Sequence, residues 1–176
     1  RLLYKKVSPD VLKPVTRTDI SSPRILILGF NTLAQSFLTQ HALLGHYINT
    51  EKARVSVIDS NLSNGFQKYL GRTLHIQDLL DIEWVDKELD CLTKQDLTEK
   101  LVRNRYDVVY LFIDNDTVLF SLISWLQLIK TETPFKIVAS CTPGFIPNKP
   151  MREDRDRLVL LNLQQECASP LYIIDE

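Results

Sequence analysis

Apolar residues along this chain gather into short continuous runs, and the stretches between them carry apolar positions at helical spacing. The run Ile25-Leu26-Ile27-Leu28 ends at Gly29, and from Leu33 onward Ala34, Phe37, Leu38 and His41 recur at i, i+3 and i+4 up to Gly45. A buried parallel strand hands over to a helix in this way. Arg54 to Asp59 predicts the second strand, after a polar insertion over His46 to Lys52. Asn61 or Ser63 caps a helix running to about Leu70 and ended by Gly71. Asp81 to Val85 alternates and predicts strand three, with Thr73 to Ile76 as a rival placement. Leu92 to Asn104 predicts a helix with Leu97, Leu101 and Val102 facing inward.

Asp107 to Asp114 is an almost unbroken apolar run bounded by carboxylates, the mark of a central parallel strand. Thr117 to Lys130 follows as a long helix with Asp116 as its N-cap. Its core stripe is Val118, Leu119, Leu122, Ile123, Leu126 and Ile129. Phe120, Trp125 and Leu128 lie off that stripe, so more than one side of the helix is expected to be covered. Phe135 to Ser140 predicts strand five. Pro143, Pro147 and Pro150 then break the chain ahead of a helix over Glu153 to Cys167 and a last strand over Leu171 to Ile174. Strands alternating with helices throughout predict an α/β fold: a Rossmann-like, doubly wound parallel sheet of about six strands with helices on both faces. Residues 1–23, with Pro9, Pro14 and Pro23, read either as a connector or as a terminal arm packed on the domain formed by 24–176.

Composition narrows the function classes. The chain has 176 residues, 44% of them apolar, with 21 Lys and Arg against 22 Asp and Glu, so there is no basic footprint for nucleic acid. Cys91, Cys141 and Cys167 show no C-x-x-C spacing, which disfavours a disulfide framework or a zinc site and fits a reducing, cytoplasmic compartment. The most apolar stretch, Val118 to Ile129, falls short of the roughly 20 residues of a bilayer span. A start at Arg1 rather than Met, with no leader, reads as a piece of a longer polypeptide.

The candidate chemistry centres on Gly29. The spacing Gly29-x-Asn31-x-x-Ala34 meets the dinucleotide fingerprint at its first and third positions and breaks it at the second. Asp59 closes strand two, where this fold places a carboxylate for ribose hydroxyls; it lies 30 residues beyond Gly29, the excess over the usual interval being taken up by the 46–52 insertion. Asp114 and Asp116 offer oxygens to a hard cation, but one is better explained as a helix cap, and no metal is expected. His41, His46 and His75 have no ligand spacing. No G-x-S-x-G elbow or paired Cys and His marks a nucleophile, so no catalytic residue is named and the chain is not read as an enzyme.

Taken together, the Gly29 turn, Asp59 and the run from Asp107 to Asp116 resemble a TrkA-N domain, the nucleotide-binding half of the RCK or KTN modules of potassium channels and transporters. The resemblance covers about residues 24–141. It implies that Gly29, Phe30, Asn31, Thr32 and Leu33 form a phosphate-facing turn whose free N–H groups favour an anion. It also implies that Asp59 holds the ribose with Ser60 and Asn61 beside it, and that Ile113, Asp114 and Asn115 border the nucleotide. The implied ligand is NAD or NADH, with ATP, ADP or AMP as alternatives and no ligand as a further one. The implied assembly is a homo-oligomer through the helix at 117–130, joined to a membrane channel part in the same longer chain. Two other readings stand beside it. One is a fragment of an NAD-dependent oxidoreductase, which needs a substrate domain and a general acid or base. The other is a degenerate Rossmann module kept for association, for which Asn31 is the main argument.

Overall fold

Strands buried on both faces need apolar side chains at every position, and the runs that begin this chain's βα units meet that demand. In a computed structural model, which describes residues 4, 7–12, 14, 22–45, 51–60, 62–73, 75–141 and 157–162, six strands form one sheet: β1 (Arg24–Leu28), β2 (Ala53–Asp59), β3 (Leu80–Asp86), β4 (Val108–Leu111), β5 (Lys136–Cys141) and β6 (Leu158–Asn162). The strand order is β3-β2-β1-β4-β5-β6 and every pairing is parallel, which is the doubly wound Rossmann arrangement. Among the described residues the helices are α1 (Pro9–Leu12), α2 (Thr32–Leu44), α3 (Leu62–Leu70), α4 (Ile76–Leu79), α5 (Lys94–Asn104) and α6 (Asp116–Leu128). None is long and apolar enough to cross a membrane.

Alternate residues of the central strands feed two cores. Ile25, Ile27, Val55, Val57, Val108 and Tyr110 meet Ala34, Phe37 and Leu38 of α2 on one face. Leu26, Leu28, Val109, Leu111 and Ile137 meet Leu97 and Leu101 of α5 and Leu119, Leu122, Ile123 and Leu126 of α6 on the other. Each fully buried aliphatic side chain contributes about 1.5–3 kcal/mol, so the two layers hold the sheet from both sides. Tyr4, Val7 and Leu12 of the segment 1–23 lie against the α2-side core. Tyr4 and Val7 are buried, the Tyr110 hydroxyl donates to the Val7 carbonyl at 2.6 Å, and Tyr4 Oη is 2.8 Å from Nδ1 of buried His41.

From the middle of β2 and β3 to the entry of β4 a polar chain replaces apolar packing. Asn104 donates to the Tyr106 hydroxyl at 2.8 Å, Tyr106 donates to Ser56 Oγ at 2.7 Å, and Ser56 donates to Glu83, which also accepts from Lys100 at 2.9 Å. The Ser56 bond, reinforced by Lys100, holds the Glu83 carboxyl below its usual range.

Four expectations are corrected. The segment 158–162, assigned to a helix over Glu153 to Cys167, is strand β6, aligned from Ile137↔Leu158 to Cys141↔Asn162. Leu158-Val159-Leu160-Leu161 is apolar at every position and fits either element by period alone. The outer edge of β5 decides it, and Arg157 fixes the entry by donating to the carbonyls of Phe135 and Ile129 at 3.2 and 3.0 Å. Strand β4 ends at Leu111 rather than Asp114, because after the Phe112 N–H bonds Leu28 O at 2.9 Å the chain leaves the ladder, although Phe112 and Ile113 stay buried. Asn115, not Asp116, caps α6, its Oδ1 accepting from the N–H groups of Thr117 and Val118 at 3.0 and 3.3 Å. Asp116 instead occupies the first turn, where its charge faces the positive end of the helix dipole. Val102 is 55% exposed, because one residue past Leu101 the helix has turned by about 100° away from the core.

The choice for strand three falls on 80–86, and Ile76 opens the short helix α4 instead of closing a strand. The proline link at 143–150, the last strand at 171–174, the flanks of the former helix at 153–156 and 163–167, and residues 46–50 of the insertion lie outside the described residues.

Candidate functional site

In a sheet ordered 3-2-1-4-5-6 the connections leaving β1 and β4 diverge to opposite faces, and a crevice opens between them at the carboxyl ends of the strands. A cleft of about 380 Å³ lies there, floored by Gly29 and Asn31 and walled by Asp59 and Ser60, by Glu88 to Asp90, and by Phe112 to Asn115 with Val118.

The turn that floors the cleft is set by backbone geometry. Gly29 has φ +90°, and a Cβ there would stand 2.3 Å from the Phe112 carbonyl oxygen. Only glycine fits a left-handed residue pressed against a neighbouring strand. Its N–H donates to Ile58 O at 3.0 Å, and the Phe30 N–H donates to Asp59 Oδ2 at 2.7 Å, so the turn is tied to the end of β2. The Phe30 ring turns away from the cleft and packs edge-on to Tyr69 and Trp84, with centroids 5.3 and 5.1 Å away.

Asn31 has φ −74° and ψ −179°, extended backbone rather than the left-handed conformation that glycine would bring to the fingerprint's second position. It is the N-cap of α2. Its Oδ1 accepts from the N–H groups of Leu33 and Ala34, both at 3.1 Å, and its Nδ2 donates to Asp114 Oδ1 at 2.9 Å. Of the turn's N–H groups expected to face an anion, those of Gly29, Phe30 and Leu33 are bonded within the chain, to Ile58 O, Asp59 Oδ2 and Asn31 Oδ1, and among the described residues those of Asn31 and Thr32 have no such bond; the Ala34 N–H also goes to Asn31 Oδ1. Ala34 is fully buried and lets α2 approach the sheet, which is the packing role of the fingerprint's third position.

Of the residues named from sequence, Gly29, Asn31, Asp59, Ser60, Ile113, Asp114 and Asn115 line the cleft. Phe30 does not line it, Thr32 is exposed on the first turn of α2, and Leu33 is half-buried against the α2-side core. Asn61 lies outside the described residues. Sequence reasoning missed Glu88, Leu89, Asp90, Phe112 and Val118. The available signal was the polar run Asp86 to Asp90 directly after β3, since the exit of β3 neighbours the exit of β2 once the strand order is known.

The walls are acidic. Asp59, Glu88, Asp90 and Asp114 line the cleft, and among the described lining residues there is no Lys or Arg. Lys87 points elsewhere and pairs with Asp96 at 3.0 Å. Asp96 is held down to about 2, first by the Thr93 hydroxyl and N–H of the capping box and then by Lys87. At the rim, Glu88, Asp90 and Cys91 bring their ligand atoms within 4.8 Å of one another, all exposed, and the two carboxylates, Asp90 foremost, push the Cys91 thiol up. Exposed acidic side chains gather in this way at loops without an ion, and nothing further marks the group as a metal centre.

Chemically, the cleft offers hydrogen-bond acceptors to hydroxyl and amine donors and apolar wall surface from Phe112 and Ile113. No protein-family model matches the chain, and no curated protein matches its sequence.

Proposed function

We propose that this chain is a nucleotide-sensing regulatory domain of a potassium channel or transport system, acting on the cytoplasmic side of a membrane as a TrkA-N-like module. One observation carries the reading: an open cleft of about 380 Å³ at the switch point between β1 and β4, with a carboxylate at the end of β2 on its wall. Ligands of open α/β sheets bind there, and an acidic residue so placed accepts hydrogen bonds from ribose hydroxyls. NAD, NADH, ATP, ADP and AMP all carry such a ribose. The polar side chains of the cleft are Asn, Asp, Glu and Ser without a nucleophile activated by a base, so occupancy itself is the output. Exposed Phe120 and Leu128 on α6 give a paired copy a surface to cover, and a ligand that prefers one pairing biases a gate carried by the membrane part of the longer chain.

The test is a thermal-shift panel of NAD, NADH, NADP, ATP, ADP, AMP and adenosine, read beside light scattering for oligomeric state. A ligand at about 100 times its Kd adds about 2.7 kcal/mol, which for a chain of this size raises Tm by roughly 5–10 °C. No shift with any of them at millimolar concentration refutes the reading. Self-association in that case favours a second one, a Rossmann module kept for association alone. The observation behind that alternative is Asn31, whose carboxamide fills its own helix N-terminus.

A further inference from the structure

Resting on the reading of the cleft as a nucleotide site, we infer that it accepts a nucleoside, ribose and base, and selects against the diphosphate that joins the halves of a dinucleotide. Three observations converge on this ligand class. Three N–H donors at the turn are engaged, those of Leu33 and Ala34 by Asn31 Oδ1 and that of Phe30 by Asp59, which leaves a phosphate only those of Asn31 and Thr32. A phosphate oxygen entering there displaces an acceptor already in good geometry and gains only the difference between two hydrogen bonds.

The second observation is a bond across the crevice. Asn31 Nδ2 to Asp114 Oδ1, at 2.9 Å, joins the β1 turn to the β4 exit. A dinucleotide laid over the switch point carries its pyrophosphate past this turn at the helix N-terminus. The bond stands in that path and leaves the pocket on the β2 and β3 side, bounded by Asp59, Ser60 and Glu88 to Asp90, open for one ribose and its base.

The third observation is charge. Asp59, Glu88, Asp90 and Asp114 place like charge around any phosphate in the cleft, and none of the described lining residues is Lys or Arg. Ribose hydroxyls, by contrast, donate to carboxylates, and a neutral base is not repelled.

The experiment is calorimetric titration of the chain with adenosine, AMP, ADP and NAD, each with and without Mg²⁺, at low and high salt (about 0.02 and about 0.5 M), the range over which exposed charges become screened. Adenosine is expected to bind about tenfold or more tightly than ADP and NAD at low salt, with AMP between, and the gap is expected to close at high salt. In Asn31→Gly, which frees the N–H groups and removes the crossing bond, and in Asp114→Asn, which removes a charge and keeps an acceptor, ADP and NAD are expected to gain relative to adenosine. Circular dichroism checks that each variant is folded, and Asp114→Asn alone carries the comparison if Asn31→Gly does not fold. ADP or NAD binding as tightly as adenosine overturns the inference. So does Mg²⁺ lifting ADP above adenosine, which would make the carboxylates a cation site, and so does a gap unmoved by salt and by both variants. In those outcomes the nucleotide reading stands; silence from all four ligands overturns both.

Discussion

Replacing Gly29 by Ala tests whether the turn at the floor of the cleft is dictated by the fold. At φ +90° an L-residue sits in a region it rarely adopts, at a cost of about 1–2 kcal/mol. The new Cβ would also lie 2.3 Å from Phe112 O, 3.0 Å from Phe112 C and 3.3 Å from Ile113 Cγ1. Backbone has to yield, and it is pinned: Phe112 N–H bonds Leu28 O at 2.9 Å and Gly29 N–H bonds Ile58 O at 3.0 Å. Overpacking against a fixed neighbour adds about 1–3 kcal/mol. The sum, about 2–5 kcal/mol, is a large part of the about 5–15 kcal/mol that holds a domain together. It corresponds to a fall in Tm of roughly 4–20 °C for a chain of this size. Urea unfolding followed by far-ultraviolet circular dichroism measures it, with an unchanged m-value showing that only stability moved. Gly71→Ala is the control: its φ is outside the left-handed range and the nearest atom to a new Cβ is Gln67 O at 3.4 Å, so a change within about 0.5 kcal/mol is expected. A loss below about 1 kcal/mol at Gly29, comparable to the control, refutes the claim that the close approach to β4 requires glycine.

Asn31→Ala removes the cap from α2 and is expected to cost about 1 kcal/mol, with Asn31→Ser recovering most of it; equal stability of the Ala variant and the parent chain in urea contradicts the capping role. Tyr106→Phe deletes the buried hydroxyl between Asn104 and Ser56 and is expected to cost about 1 kcal/mol, so a variant at least as stable as the parent refutes the network's contribution. Asp96 sits in folded protein at about 2 against about 3.9 when unfolded. Its stabilisation is therefore full above the unfolded value and is lost as pH falls through the folded one. The Tm gap between parent and Asp96→Asn is expected to be widest near neutral pH and to narrow between about pH 4 and 2; a gap constant across that range excludes the carboxylate as its source.

Strands β1 and β4 were legible because burial on both faces forces a continuous apolar run, and β2 and β5 from shorter apolar runs, Val57-Ile58 and Ile137-Val138-Ala139, set between helical stripes. The same rule misplaced 158–162, where Leu158 to Leu161 satisfy helix and strand alike and only pairing with β5 separates them. Asn115 and Asp116 are both good caps, and the choice depends on where the chain leaves the sheet after Ile113. At the site, Gly29, Asn31, Asp59 and Asp114 were legible from position along the chain. Glu88 to Asp90 were not, because their place beside Asp59 follows from β3 lying next to β2, a fact of strand order that no local pattern encodes. Phe30 was misjudged for a related reason: sequence position puts its backbone at the turn, but rings from α3 and β3 supply a better environment for its side chain.

The self-capped turn constrains how the proposed site could sense a ligand. Because the N–H groups of Leu33 and Ala34 already bond to Asn31, a ligand of the kind proposed would gain little from those two, and its discriminating contacts would come chiefly from the exits of β2, β3 and β4. The β4 exit is the one with a mechanical outlet. Asn115 lines the cleft and its side chain caps α6, Val118 lines the cleft from within the first turn of that helix, and Phe120, two residues further on, is 38% exposed, with Leu128 at 56% toward the far end. A ligand that moves Asn115 and Val118 moves a helix whose other face holds Leu119, Leu122, Ile123 and Leu126 in the core, and packed cores shift between discrete arrangements more readily than they deform. On the proposed reading, α6 is the element that would couple occupancy of the cleft to its own exposed face. Substituting Asn115 by Ala is expected to weaken that coupling, because an uncapped first turn can absorb the displacement locally: ligand binding would persist while its effect on domain pairing, read by light scattering, falls. Pairing that responds to ligand equally in both proteins would show that the signal leaves the cleft by another route.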